Sequence, residues 1–231
     1  MYARDTYQTA AGPLAITPIH HATFVMEWNG ETIFCDPVGG AGRFSGPPAP
    51  TLVILTHHHG DHFDADTLRA VLGDKTAIIA PKIVLDQLPA DLAARTTLMA
   101  NGERIRWHEI GIDAIAMYNT TPDRQKYHEK HVGNGYLFDF AGTRVYLASD
   151  TEPTPEMDGL GEIDIAFFPM NLPYTMTPDQ VVACIKKTAP RFAYPFHYRF
   201  PFDQPGFEPS DVTRLLPEGS GTTIVEHDWY A

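Results

Sequence analysis

The sequence predicts an α+β protein in which one β-rich segment is followed by a second, with helices packed on the outside. Short apolar runs typical of strands dominate the first third of the chain. Helical and strand patterns then alternate, and a second series of strand-like runs begins near residue 112. With 231 residues, 43% of them hydrophobic and 20% charged, the chain can bury one sizeable core. We therefore expect a single domain over residues 1–231.

The first segment starts as a sheet, because Asn29-Gly30 marks a tight hairpin turn between two apolar runs. An irregular loop rich in glycine and proline, which carries Arg43, follows the third run and could line a pocket. Asp64 is a suitable N-cap for the first helix. The predicted elements are strands at 14–18, 24–28, 32–35, 52–55 and 76–80, the loop at 38–50, and helices at 65–72 and near 83–88.

The second segment repeats this pattern, with Ala141-Gly142 as a hairpin turn and Thr177-Pro178 as a clear helix start. The predicted strands lie at 112–117, 136–140, 143–148, 163–169, 192–195 and 223–225, and the predicted helices at 178–188 and near 210–216.

Charge and composition exclude several classes of partner. The net charge of -12 repels phosphates, and no cluster of lysine or arginine offsets it, so we expect neither nucleic acid nor an anionic membrane surface as a partner. Cys35 and Cys184 lie in a strand-like and a helix-like run, which indicates buried thiols rather than a disulfide framework. Residues 1–20 lack the features of a signal peptide, so the expected location is cytoplasmic, with export after signal removal as the alternative.

The chemistry is concentrated in the run His57-His58-His59-Gly60-Asp61-His62, directly after an apolar strand. Imidazole and carboxylate bind zinc and its neighbours, and the alternate residues His57 and His59 point to the same side. Gly60 redirects Asp61 and His62, whereas His58 points away. The competing interpretation is a solvated polar turn, but imidazoles crowded together without a metal repel when protonated. The run therefore predicts a metal site.

The pattern Thr56-His57-x-His59-x-Asp61-His62 resembles the signature of the metallo-β-lactamase superfamily. Later segments are similar to small hydrolases near the ascorbate-6-phosphate lactonase-like group, and the resemblance implies a four-layer αββα sandwich. These segments are Tyr118-Asn119, Lys126-Tyr127-His128, Gly135-Tyr136, Tyr146-Leu147-Ala148-Ser149-Asp150-Thr151 and Pro195-Phe196-His197-Tyr198.

The resemblance also implies a two-metal ligand set. His131 competes with His128, but the family's Lys-x-His pattern favours His128. The alternatives for Asp150 and His197 are a cap and a core histidine, and Ser149 stands where the family usually has glycine. The implied set is His57, His59 and His128 for one metal, Asp61, His62 and His197 for the second, and Asp150 bridging both.

Further groups are expected around the ligands. His21 matches a family position close to the site, where it would support a ligand or contact substrate rather than bind a metal itself. Asp36-Pro37 resembles a family pair that steadies the metal loop, or forms a simple turn. Cationic side chains that flank the ligands would bind a carboxylate or phosphate of a small anionic substrate, or are ordinary solvated charges. These are Lys126 and Arg199, together with Arg124 and Lys130, and Arg43 in the loop.

The expected activity is hydrolysis of a small ester, lactone or phosphodiester. Two divalent cations, zinc first and manganese or iron as alternatives, would lower the pKa of a shared water to about neutrality and supply hydroxide, which Asp61 would orient. A di-iron redox protein is the alternative, although that group generally has glutamate where His59 stands and carries a flavin domain. The other alternative is a metal-binding protein without catalysis.

Overall fold

The computed structural model describes residues 2–230, which form two mixed β-sheets of seven strands each. The first sheet has its strands in chain order, antiparallel from the first to the fourth and parallel from the fourth to the seventh. Its strands are β1 Asp5–Thr9, β2 Gly12–His20, β3 Thr23–Trp28, β4 Glu31–Cys35, β5 Leu52–Ile54, β6 Ala77–Ala80 and β7 Thr96–Leu98.

The second sheet repeats this plan, with four antiparallel strands followed by three that extend it in parallel. Its strands are β8 Arg104–Trp107, β9 Ile110–Met117, β10 Gly133–Phe140, β11 Thr143–Leu147, β12 Ile165–Pro169, β13 Phe192–Phe196 and β14 Thr223–Ile224. The helices are α1 Ala65–Val71, α2 Lys82–Leu85, α3 Ala90–Ala93, α4 Pro178–Thr188 and α5 Pro209–Leu215, with short 3-10 helices at Ala41–Phe44, Pro122–Arg124 and Pro155–Gly159.

Strand parity divides the core into layers. Along β5, Leu52 and Ile54 join the cluster that lies between the sheets, whereas Val53 joins a second cluster beneath α1, α2 and α3. Phe24 and Phe167 stack across the two sheets with ring centroids 4.2 Å apart. The side chains of α4 pack against the second sheet. The four-layer αββα sandwich predicted from the sequence is therefore confirmed.

Several predicted boundaries agree closely with the structure. Helix α4 begins after Thr177, whose hydroxyl accepts a hydrogen bond from the backbone N–H of Gln180, as a capping box requires. Helix α2 is shorter than predicted and ends at Leu85. The sequence predicts no strand for β1, β7 or β8, because these edge strands consist of half-exposed and exposed residues and lack an apolar run.

Within residues 2–230, no helix combines the length and the apolar character needed to cross a membrane. Cys35 and Cys184 are buried free thiols, as predicted.

Candidate metal centre

The site lies at one edge of the sandwich, where loops from both sheets meet. The loop between β5 and α1 brings four of the predicted ligands, and one ligand each follows β9, β11 and β13. Because β11 and β13 run in the same direction on either side of β12, their carboxyl ends deliver side chains to the same edge. The structure brings together all seven predicted ligands, which are His57, His59, Asp61, His62, His128, Asp150 and His197.

Asp150 is the centre of the cluster and is 2% exposed. Its Oδ1 lies 3.3 Å from His62 Nε2, and its Oδ2 lies 3.2 Å from both His128 Nε2 and His197 Nε2. His57 Nε2 is slightly farther, at 3.9 Å from Oδ2. One carboxylate thus faces four imidazoles, which is the position expected of a group shared by two metals.

The donor atoms form two groups with no residue in common, and a third group of His57, His62 and Asp150 links them; in each group the atoms lie within 4.8 Å of one another. The structure places His128 in the first group, whereas its rival His131 is exposed on the surface. His58 belongs to neither group. The first group is His57, His59 and His128, and the second is His21, Asp61, His62 and His197.

Divalent cations fit this donor set. The Nε2 atoms of His62, His128 and His197 and Oδ1 of Asp150 are buried without a hydrogen-bond partner, which is unusual for buried polar atoms. His57 Nε2 and His59 Nδ1 lie 3.2 Å apart. One cation in each donor group would satisfy these atoms, and nitrogen and oxygen donors suit zinc, manganese or iron.

Asp36 holds the histidine loop in place. The backbone N–H of Thr56 donates to its Oδ1 (2.8 Å), and the Thr56 hydroxyl and His62 Nδ1–H donate to its Oδ2 at 2.6 and 2.8 Å. Burial raises the pKa of Asp36, and these three hydrogen bonds oppose the rise. The arrangement agrees with the steadying role expected for Asp36, since it leaves His62 Nε2 free to face Asp150.

The histidines of the cluster differ in their pKa values. Burial lowers the pKa of His57 well below its ordinary value and that of His59 to about 4. Burial also disfavours protonated His62 and His197, but nearby carboxylates outweigh it, raising the pKa of His62 well above its ordinary value and that of His197 to about 9. A cation that binds here competes with those protons, so metal binding would release them.

The two carboxylates stay ionised. Burial alone would raise the pKa of Asp150 and of Asp61, but neighbouring histidines hold both pKa values well below the ordinary range. Asp61 Oδ2 lies 3.1 Å from His21 Nε2 and 3.3 Å from His197 Nε2.

The predicted cationic groups differ in their surroundings. Arg199 pairs with Glu208 at 2.6 Å, and Lys130 pairs with Glu156 at 2.8 Å. Arg124 pairs with Glu152. Lys126, by contrast, is exposed, and no ion pair is found for it within residues 2–230. Arg43 also has no ion pair among these residues, but it lines neither of the two cavities beside the cluster, whereas Lys126 lines both.

Two adjoining cavities open beside the cluster, of about 300 and 340 Å³. Lys126, Tyr127, His59 and His128 line both of them. The larger cavity is also lined by Asp61, Asp150, His197, Tyr174 and Phe200. A small molecule that enters it would therefore meet both donor groups.

Sequence reasoning missed two supporting residues. Glu152 is fully buried and accepts hydrogen bonds from the backbone N–H groups of Thr120 (2.7 Å) and Thr121 (2.6 Å), which fixes the loop that carries His128. Its position two residues after Asp150 was an available signal. Tyr230, whose hydroxyl lies 2.8 Å from His21 Nδ1, gave no sequence signal because it comes from the far end of the chain.

Comparisons with known proteins identify the family and the fold. Residues 15–197 match the family described as the beta-lactamase superfamily domain. A putative metal-dependent hydrolase from Parabacteroides distasonis has 33% identity and a TM-score of 0.87, over 97% of this chain and 98% of that one. A UPF0173 metal-dependent hydrolase of Geobacillus sp. is 26% identical over 91% of this chain and 96% of its own length. CmlA, a diiron beta-hydroxylase from Streptomyces venezuelae, shares the fold, with 19% identity and a TM-score of 0.61 over 78% of this chain and 44% of that one.

Proposed function

The chain belongs to the beta-lactamase superfamily and is a metal-dependent hydrolase of the metallo-β-lactamase fold, and on that premise we propose that it works with two divalent cations on a small ester, lactone or phosphodiester. The observation that carries the proposal is the position of Asp150, whose two oxygens lie within 3.3 Å of three imidazole Nε2 atoms. Because those atoms have no other hydrogen-bond partner, the site is built for cations rather than for its own internal contacts.

In this proposal both cations would be held by Asp150, and each would have three further ligands. When bound, the cations would supply Lewis-acid chemistry, since they lower the pKa of a coordinated water to about neutrality and polarise a carbonyl or phosphoryl oxygen. Zinc is the first candidate, with manganese or iron as alternatives. The first set is His57, His59 and His128, and the second is Asp61, His62 and His197.

Asp61 is the catalytic residue of the proposal. Its side chain is 18% exposed, against 3% for Asp150, and lines the larger cavity, so its ionised carboxylate can meet a water molecule there. By accepting a hydrogen bond from the attacking water, Asp61 would orient that water towards the substrate. His197 lies against the same carboxylate oxygen and restrains its position.

The cavity supports a small anionic substrate. Its volume of about 340 Å³ is at the lower end for small-molecule sites. Lys126 supplies a positive charge at its wall, while Tyr127, Tyr174 and Phe200 form an aromatic side, with Tyr127 and Tyr174 ring centroids 5.0 Å apart. A carboxylate or phosphate near Lys126 would leave the scissile group beside Asp61. A lactone is included because of the resemblance to the ascorbate-6-phosphate lactonase-like group.

Metal analysis combined with an activity screen tests the proposal. We expect two cations per chain, and hydrolysis of at least one lactone, phosphodiester or β-lactam when zinc, manganese or iron is supplied separately. His59→Ala and Asp150→Ala should lower bound metal and abolish that hydrolysis. His131→Asn is the matched control, because this exposed histidine has a positive φ of 70°, which asparagine tolerates.

Full metal occupancy in both variants would overturn the ligand assignment. Two bound cations without hydrolysis of any of these substrates would favour the non-catalytic alternative, and oxygen-dependent chemistry of the iron form alone would favour the redox alternative.

A further inference from the structure

The side chain of His21, which the sequence places close to the site, does not reach the cavity. Its side chain is fully buried in the turn between β2 and β3, where its backbone has a φ of 55°. Both ring nitrogens have neighbours, since Nε2 lies 3.1 Å from Asp61 Oδ2 and Nδ1 lies 2.8 Å from the hydroxyl of Tyr230. A substrate in the cavity therefore has no direct access to His21.

The hydrogen bonds of the Tyr230 hydroxyl are compatible with a ring proton on Nδ1 of His21. The backbone N–H of Arg199 donates to this hydroxyl at 2.9 Å, and the hydroxyl can donate its own proton to the carbonyl oxygen of Arg199 at 3.1 Å. Its remaining lone pair then accepts from His21 Nδ1–H. In that tautomer Nε2 carries a lone pair that faces the carboxylate of Asp61, and a cation between two acceptors this close would stabilise the pair.

Building on the two-cation function proposed above, we propose that His21 Nε2 is a further ligand of the cation held by Asp61, His62 and His197, and that Tyr230 fixes the tautomer this requires. Donors that share an ion at about 2.0–2.1 Å are about 3.0 Å apart in octahedral geometry and about 3.3 Å apart in tetrahedral geometry. The distance from Asp61 Oδ2 is 3.1 Å to His21 Nε2 and 3.3 Å to His197 Nε2, so both agree with this spacing. The donor atoms of all four residues lie within 4.8 Å of one another.

One consequence is that the two metal positions differ. With Asp150 included, the second position has three imidazoles and two carboxylates, whereas the first has three imidazoles and Asp150 alone. Zinc in proteins is mostly four-coordinate, and manganese or ferrous iron accepts six ligands. The second position should therefore favour manganese or iron over zinc more strongly than the first position does.

Calorimetric titration of the variants with metal tests this proposal, because it measures the affinity of each binding step. X-ray absorption of the manganese-loaded protein counts the imidazole ligands and does not depend on activity. His21→Asn should remove one imidazole from the manganese shell and weaken the second binding step. Tyr230→Phe should weaken the same step about 10- to 100-fold, as loss of a group that orients a ligand does. Tyr198→Phe is the matched control, because the Tyr198 hydroxyl also binds the C-terminal segment, at His227 O (3.0 Å), but does not touch His21.

Unchanged affinity and an unchanged imidazole count in His21→Asn would overturn the proposal. Equal weakening in Tyr230→Phe and Tyr198→Phe would do the same, because the effect would then come from packing of the C-terminal segment. If His21→Asn fails to fold, Tyr230→Phe against its control still decides. A wild-type protein that binds fewer than two cations would instead refute the proposed function, so the two failures are distinguishable.

Discussion

Replacement of Asp36 by asparagine tests whether one buried carboxylate controls the metal-binding face of His62. The carboxylate accepts from the Thr56 backbone N–H, the Thr56 hydroxyl and His62 Nδ1–H, at 2.6 to 2.8 Å. With its proton on Nδ1, neutral His62 presents a free Nε2 at 3.3 Å from Asp150 Oδ1. The amide of Asp36→Asn donates instead, so it favours the tautomer that carries the proton on Nε2, where it blocks a cation.

The expected effect is about a 10- to 100-fold loss of metal affinity, or about 1.4–2.7 kcal/mol. The shape of the side chain and the bond from the Thr56 N–H are kept, so the chelator-treated protein should unfold at nearly the wild-type urea concentration. Asp36→Ala behaves differently, because it leaves the backbone N–H of Thr56 and the ring N–H of His62 buried without acceptors. At roughly 1–3 kcal/mol for each donor, this variant is destabilised even without metal.

Calorimetric titration of the metal-free protein with zinc and with manganese measures the affinity, and urea unfolding in a chelator measures the stability. Asp64→Asn serves as the control, because asparagine caps a helix as well as aspartate does and Asp64 lies outside both donor groups. Wild-type affinity in Asp36→Asn would refute the tautomer argument.

Three further substitutions probe the scaffold by urea unfolding. A Cβ at Gly135 would lie 2.8 Å from a backbone carbonyl oxygen of β11, so Gly135→Ala should lower the free energy of unfolding by about 1–3 kcal/mol and weaken metal binding. Gly159→Ala is the control, because a Cβ there has open space around it and should change neither stability nor metal affinity. Ser149 has a φ of 56°, and Ser149→Gly should raise the free energy of unfolding by about 1 kcal/mol; a loss would show that the hydroxyl matters more than the backbone strain. A hydrogen bond from Thr67 lowers the pKa of Asp64 in the folded protein. The stability that ionised Asp64 contributes is therefore complete above the pKa of about 3.9 in the unfolded chain, and it is lost as the pH falls through the lower pKa of the folded state. Asp64→Ala should therefore be about 1 kcal/mol less stable than wild type at pH 7, with a gap that narrows below about pH 4; a constant gap would argue against the charged cap.

The fold was predictable where burial leaves a pattern in the sequence. The run at β5 is apolar on both faces because one face packs between the sheets and the other beneath helices, and such a strand is easily recognised. Strand β8 has no such pattern, since Arg104 and Arg106 are exposed at the edge of the second sheet. Its pairing with β9 follows from the neighbouring chain, which no local pattern encodes.

The site, like the fold, was predictable where a local sequence pattern exists. Its first four ligands lie within six residues, and spacing alone indicates a metal loop. The distant ligands were identified only through the resemblance, and the structure then placed His128 rather than His131 in the cluster. Tyr230 could not be predicted, because its contact with His21 joins residues 209 positions apart. Only the folded chain brings those two residues together.

Backbone strain gives an independent indication that the site is shaped for chemistry. Four residues in the cluster or in contact with it have positive φ values, namely His21 (55°), Asp36 (45°), Ser149 (56°) and His197 (53°). Glycine would adopt this conformation with less strain, and each such residue costs about 1–2 kcal/mol. At three of the four positions the side chain makes contacts that glycine cannot make, to Asp61, His62 or Asp150. Ser149, whose buried hydroxyl has no hydrogen-bond partner within residues 2–230, is the exception. The strain at His21 is therefore explained in the same way as the strain at His197, by a ring nitrogen that must reach the second donor group.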